Sequence, residues 1–193
     1  DIAWLLNIRG DDILYNPVVL SYVVLTMDQL YLFINEDVID GKAYPYLDNT
    51  DDTTTREYLE GIGVTIRPYD KVYDMVEGLR NEKVLLEKSR VNYAIYRLLD
   101  SSNKIIDKMN PTALMKCVKN DVEIENEKKA HIKDGVAVTK FIYWLKKNIG
   151  KIPMDELSVC EYMENLRKQQ EGCISPSFAT ISAYGAHGAM CHY

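Results

Sequence analysis

No run of apolar residues in the chain approaches the roughly 18 needed to cross a bilayer as a helix, so a transmembrane-helix protein is excluded and a soluble one is expected. Paired cysteines are also missing. Cys117, Cys160, Cys173 and Cys191 stand far apart and form no CxxC, which leaves neither a zinc knuckle nor a redox dithiol. Reduced thiols packed as small hydrophobes are the expectation. Positive charge is in deficit: 23 Lys plus Arg face 29 Asp plus Glu, a net charge of -6. That balance opposes non-specific attraction to nucleic acid or anionic lipid, so neither nucleic acid nor a membrane is an expected partner. The opening Asp1-Ile2-Ala3-Trp4 lacks the charged n-region and apolar h-region of a signal peptide and enters a buried-type segment at once. The natural N-terminus is expected to lie upstream. Gly61-Ile62-Gly63 lacks the rest of a dinucleotide fingerprint and precedes a strand pattern instead of following one, so it reads as a helix stop. The acidic stretch 48–52 has neither EF-hand spacing nor a closing Glu, and reads as a solvated loop.

What is present is ordinary globular chemistry. At 193 residues, with 47% hydrophobic and 27% charged side chains, the chain can bury one domain with a remainder, or two small domains. Residues 2–8 (IAWLLNI) and 18–26 (VVLSYVVLT) are apolar runs of strand length. A short polar break at Met27-Asp28-Gln29 precedes Leu30-Tyr31-Leu32-Phe33-Ile34, which predicts a hairpin from the second run into the third. From Thr53 the pattern alternates. Helices are predicted near residues 54–60, 71–79 and 92–99, and strands over residues 64–66, 84–86 and 104–106. Crossovers of this length imply largely parallel pairing with helical cover, ended by Pro111. Residues 121–147 contain no proline, and a line through Ile124, His131, Gly135, Val138, Ile142 and Leu145 predicts one long amphipathic helix. On that face, His131 is expected to be a hydrogen-bonded core histidine. Asp155 is placed to cap a second helix carrying Val159, Met163 and Leu166 inward, with Gly172 as its stop. Residues 178–182 and 189–193 are expected as two strands around the loop Tyr184-Gly185-Ala186-His187-Gly188. Two helices and two strands do not close a core, so this second part is expected to be cut off in mid-fold.

Three stretches of the second part, taken together, carry a resemblance. They are Lys119-Asn120-Asp121-Val122-Glu123-Ile124-Glu125 followed by Ala130-His131-Ile132-Lys133-Asp134-Gly135-Val136-Ala137; Arg167-Lys168-Gln169-Gln170-Glu171-Gly172; and residues 178–193. Their order and spacing resemble the start of the pita-bread catalytic domain of the Xaa-Pro aminopeptidases. In the first part, Trp4-Leu5-Leu6-Asn7-Ile8-Arg9-Gly10, Tyr15-Asn16-Pro17 and Arg90-Val91-Asn92-Tyr93 are similar to the creatinase-type domain that precedes it in three-domain members. The fold class implied is α/β: a creatinase-type mixed sheet with helices over residues 1–115, then the incomplete start of a pita-bread α+β domain over residues 116–193.

The resemblance implies a cytoplasmic, homodimeric metallopeptidase that removes the N-terminal residue from peptides with proline in the second position. The family uses a pair of manganese ions bound by two Asp, one His and two Glu, all C-terminal to the counterpart of His192-Tyr193. No metal ligand is therefore assigned in this chain, and the chain alone is expected to be inactive. His192 matches a substrate-side histidine, implied to donate a hydrogen bond to the bound peptide. His187 departs from the pattern, because the family more often has Asn there. His187 and His192 without carboxylates or cysteines at ligand spacing are a weak metal signal. Two other readings stand beside this one: an Xaa-Pro dipeptidase, and a pita-bread module that binds peptide or protein without catalysis.

Overall fold

The computed structural model describes residues 1–39 and 53–191. The acidic stretch 48–52 and His192 lie outside them. The chain divides into two compact units, residues 1–13 with 17–118, and residues 14–16 with those from 119 onward.

In the first unit, strands β1 (Ser21–Leu25) and β2 (Leu30–Ile34) form the expected hairpin, with Leu25 opposite Leu30 and Val23 opposite Leu32. Its turn is held by Thr26, whose hydroxyl accepts the amide N–H of Gln29 at 3.0 Å and that of Asp28 at 3.3 Å. After helix α2 (Thr55–Gly61), strand β3 (Val64–Pro68) returns parallel to β2, Leu30 opposite Val64 and Leu32 opposite Ile66. Parallel neighbours need such a crossover.

Side chains alternate across a strand, and β2 is covered on both faces. Leu32 and Ile34 enter one cluster with Leu6, Ile8, Ile39, Leu59 and Val64. Phe33 faces the other way, into Val72, Val76 and Ile95. Those three partners belong to helices α3 (Lys71–Gly78) and α4 (Tyr93–Leu98). Strands β4 (Lys83–Leu86) and β5 (Lys104–Asp107) pair parallel in a separate ladder, so the described residues hold two small sheets instead of one.

Two local expectations fail here for physical reasons. Residues 2–8 do not form a strand; helix α1 (Ile2–Leu5) takes their place, with the Leu6 amide donating to the Ile2 carbonyl at 3.0 Å. A short apolar run carries the same signal for a buried helical turn as for a buried strand. Asn7 ends the turn in the left-handed region at φ 51°, and Leu6 and Ile8 still reach the core. Pro111, expected to end the strand–helix alternation, instead opens one more helix after β5, α5 (Pro111–Cys117), at a position where its missing N–H costs nothing.

The second unit is built on helices α6 (Asp121–Asn148) and α7 (Glu156–Lys168). Asn120 and Glu123 form a capping box at the start of α6, each side chain accepting the other's backbone N–H at 2.9 and 2.8 Å. The face of α6 turned to α7 runs through Ala137, Val138, Phe141 and Trp144, with Ala137 buried against Met163 and Leu166. Trp144 stacks on Tyr162 with ring centroids 3.8 Å apart. The expected line through His131 is thus rotated. The His131 side chain is 79% exposed, with Nε2 3.8 Å from Glu127 Oε1, and is not a core residue.

Helix α7 stops at Lys168, and Gly172, at φ 78°, shapes the turn beyond it. The strands expected in the last segment are absent from the described residues. A strand exists through its ladder, and no described ladder includes this segment. Instead, residues Gly185–Ala189 form a 3-10 turn. The thiols divide in their packing, Cys160 and Cys173 half-buried, Cys117 and Cys191 exposed.

Candidate functional site

Asp155 begins the site. Its carboxylate accepts the Ser158 amide N–H at 2.7 Å, and the Asp155 amide donates to the Ser158 hydroxyl at 2.9 Å. The Ser158 backbone and hydroxyl hydrogen bonds hold the Asp155 carboxyl below the usual carboxylate range. This cap fixes Glu156 as the first residue of α7, where the positive end of the helix dipole favours a carboxylate.

Glu156, its side chain only 20% exposed, reaches across to the turn that follows residue 183. Its Oε1 accepts the Tyr184 amide N–H at 2.6 Å, and Nδ1 of His187 stands 3.0 Å from both carboxylate oxygens. An ionised carboxylate only accepts, so the hydrogen of the pair sits on Nδ1. Gly185, at φ 60°, lets the chain fold back between the two contacts, a conformation that glycine adopts without strain. One helical turn along α7, Cys160 Sγ lies 3.4 Å from the Thr180 carbonyl oxygen. Glu156 and Cys160, four apart and hence on one face, both hold the 180–187 segment to the helix.

Of the two described histidines, this cluster contains His187 and not His131. His192 is outside the described residues, and His131 is on the exposed side of α6. Glu156 was not singled out by its pattern. An acid after a capping Asp reads as dipole complement, and only tertiary proximity shows that it holds a turn 28 residues away.

A paired-metal hydrolytic centre needs converging carboxylates with an imidazole. Among the described residues, no three His, Cys, Asp or Glu side chains converge to hold a metal ion, so this set does not fit such a pair. Among the described residues, no helix is long and apolar enough to cross a membrane.

The comparisons with known proteins extend across both units. The family profile of the creatinase/prolidase N-terminal domain matches residues 1–123, and that of metallopeptidase family M24 matches residues 125–193. Xaa-Pro aminopeptidase 1 of Dictyostelium discoideum is 37% identical over 199 residues, covering 100% of this chain and 29% of that protein. Xaa-Pro aminopeptidase 2 of Mus musculus is 35% identical over 195 residues, covering 100% of this chain and 28% of its own length. The crystal structure of X-prolyl aminopeptidase from Caenorhabditis elegans, described as a cytosolic enzyme with a di-nuclear active site, superposes with a TM-score of 0.85 at 29% identity. That match covers 100% of this chain and 30% of the other. The chain spans less than a third of the length of each of these relatives. It belongs to the creatinase/prolidase N-terminal domain family, whose profile matches residues 1–123, and residues 125–193 are similar to metallopeptidase family M24.

Proposed function

We propose that this chain is a section of a metal-dependent Xaa-Pro aminopeptidase, which hydrolyses the bond between an N-terminal residue and a following proline. The observation that carries this reading is the whole-chain match to proteins of that name, at 37% and 35% identity, through both units. In this reading, residues 1–115 are the non-catalytic creatinase-type domain and residues 116–193 open the pita-bread catalytic domain. The ligands of two manganese ions lie beyond Tyr193, so the 193-residue chain is inactive alone. The solved relative's di-nuclear site supports a metal pair. His192 donates a hydrogen bond to the bound peptide and steadies the charge that develops on it, a task suited to imidazole. The substrates are peptides with proline in the second position, and the enzyme works as a homodimer in the cytoplasm.

The test is to strip the longer protein of metal, restore manganese, and offer it an Xaa-Pro dipeptide and an Xaa-Pro-Xaa tripeptide. Manganese-dependent release of the first residue from the tripeptide is expected. Turnover of the dipeptide alone would mean an Xaa-Pro dipeptidase, and turnover of neither would mean a non-catalytic peptide-binding module.

A further inference from the structure

We infer that the groove between the β2–β3 surface and helix α3 binds the C-terminal residue of a peptide, its carboxylate on Arg67 and its apolar side chain against Phe33 and Met75. The inference stands on the first unit and is independent of the Xaa-Pro aminopeptidase reading.

The parallel register sets Phe33 opposite Arg67, so both side chains leave the same face of the sheet, and Tyr31, two residues before Phe33, shares it. Helix α3 covers that face. Its residues Val72 and Val76, four apart and hence on one side of the helix, pack on Phe33. Lys71 and Met75 each precede one of those valines, which puts the two along the margin of the same contact. Pro68 ends β3 beside them. Tyr31, Phe33, Arg67, Pro68, Lys71 and Met75 enclose a groove of about 530 Å³, open to solvent and within the size range of small-ligand sites. Its floor is firm, since Phe33 is buried between sheet and helix.

Charge gives the groove its preference. The chain carries a net charge of -6, yet the groove is lined by two cations and no acid. Lys71 Nζ lies 2.8 Å from Asp74 Oδ2, but both side chains are more than half exposed, and such a pair contributes little. Arg67 makes no ion pair or side-chain hydrogen bond among the described residues. Other arginines are engaged: Arg56 stands 3.3 Å from Glu36 Oε2, and Arg167 donates to Asp134 Oδ1 at 2.7 Å. A guanidinium takes a carboxylate through two parallel N–H···O bonds, a geometry that an ammonium does not offer.

The same charges decide which carboxylate fits. A free amino acid carries an ammonium beside its carboxylate, and Arg67 and Lys71 both repel it. In a peptide the nitrogen next to the terminal carboxylate is an uncharged amide, so the last residue presents the anion alone. That amide finds a partner in the Tyr31 hydroxyl, which donates and accepts and has no hydrogen bond among the described residues. An apolar last side chain covers Phe33 and Met75 and removes apolar surface from water.

The experiment is titration calorimetry of the longer protein with N-acetyl-Gly-Gly-Phe, whose blocked amine keeps it from aminopeptidase chemistry. Saturable binding is expected. The same peptide as its C-terminal amide should bind at least about tenfold more weakly, having lost the charge-assisted pair. Arg67→Gln should weaken the acid by about tenfold or more and leave the amide unchanged. Arg67→Lys, which keeps the charge without the fork, should fall between Arg67→Gln and wild type. N-acetyl-Gly-Gly-Gly should bind several-fold more weakly than the Phe peptide. Because Arg67 is exposed and has no partner to lose, the thermal midpoint of Arg67→Gln should match that of the wild type.

Equal binding of acid and amide, or an Arg67→Gln protein that binds the acid as the wild type does, would overturn the inference. Free phenylalanine or phenylpropionate binding as tightly as the peptide would overturn the assignment to a peptide end. Cleavage of an Xaa-Pro-Xaa tripeptide, assayed separately, bears on the aminopeptidase reading and not on this groove.

Discussion

Asn103 shows how a single polar side chain can organise a junction. It is 8% exposed, and its amide makes three hydrogen bonds, all to backbone. Its Oδ1 accepts the Glu82 N–H at 3.0 Å, and its Nδ2 donates to the Leu79 and Asp100 carbonyls at 2.8 and 3.1 Å. These bonds tie the approach to β4 to the approach to β5 before their ladder begins. Asn103→Leu keeps the volume and strands the backbone groups, so a loss of about 1–3 kcal/mol is expected in urea or thermal unfolding. An unchanged midpoint would show that water satisfies those groups. At this scale the sequence was least legible. Neither Asn103 nor Glu156 differs in its local pattern from an ordinary surface residue, because Glu82 and Leu79 lie 21 and 24 residues from Asn103, and Tyr184 and His187 lie 28 and 31 residues from Glu156. His131 shows the same limit in reverse. Helical spacing placed it on a line with apolar neighbours, yet the choice of inward face belonged to Ala137, Phe141 and Trp144, whose contacts with α7 no periodicity reveals.

Elements were far easier to read, because their ends are decided by local chemistry. Thr54, Asn92, Asn110, Asn120 and Asp155 each accept a backbone N–H two or three residues on, at the start of a helix. Strand β2 and helix α3 fall within a residue of the spans that alternation and periodicity indicate. The failures came where an element depends on distant partners, as in residues 2–8 and 178–182.

Local caps also carry a pH dependence. Hydrogen bonds from the Thr54 backbone hold Glu57 below its ordinary range, those from the Ser102 side chain and backbone do so for Asp100, and those from the Ser158 backbone for Asp155. A carboxyl depressed in the folded state stabilises it above the unfolded pKa and loses that contribution as pH falls through the folded one. The thermal midpoint should therefore decline as the pH falls below the ordinary carboxylate range. Asp155→Asn, which cannot titrate, should decline less steeply. Parallel curves for the two proteins would remove Asp155 from the account.

Over the whole molecule, the two units differ in how much core they hold. The first unit buries Leu32, Phe33, Ile34, Leu59 and Val72 almost completely between elements distant in sequence. Among the described residues, the second unit's buried cluster is Ala137, Met163 and Leu166, while Leu157, Phe178, Ile181 and Tyr184 stand exposed at 81, 63, 68 and 80%. Local opening follows the scarcity of buried contacts. Limited proteolysis of the 193-residue chain is expected to cut first after residue 118; early cuts within the strands of residues 21–107 would contradict this. The family profiles and whole-chain relatives agree with what ordered motifs, taken together, already indicated about both units. No metal ligand was legible, because a ligand set is recognised by carboxylates, imidazoles or thiols at ligand spacing, and His187 and His192 have none beside them at such spacing.

The central claim is that these residues are part of an Xaa-Pro aminopeptidase whose metal site lies outside them. It is tested most directly by assaying the longer protein and the 193-residue chain side by side, in manganese, for release of the first residue from an Xaa-Pro-Xaa tripeptide. Activity in the longer protein alone is the expected result. Activity in the chain by itself, or in neither, would contradict the account.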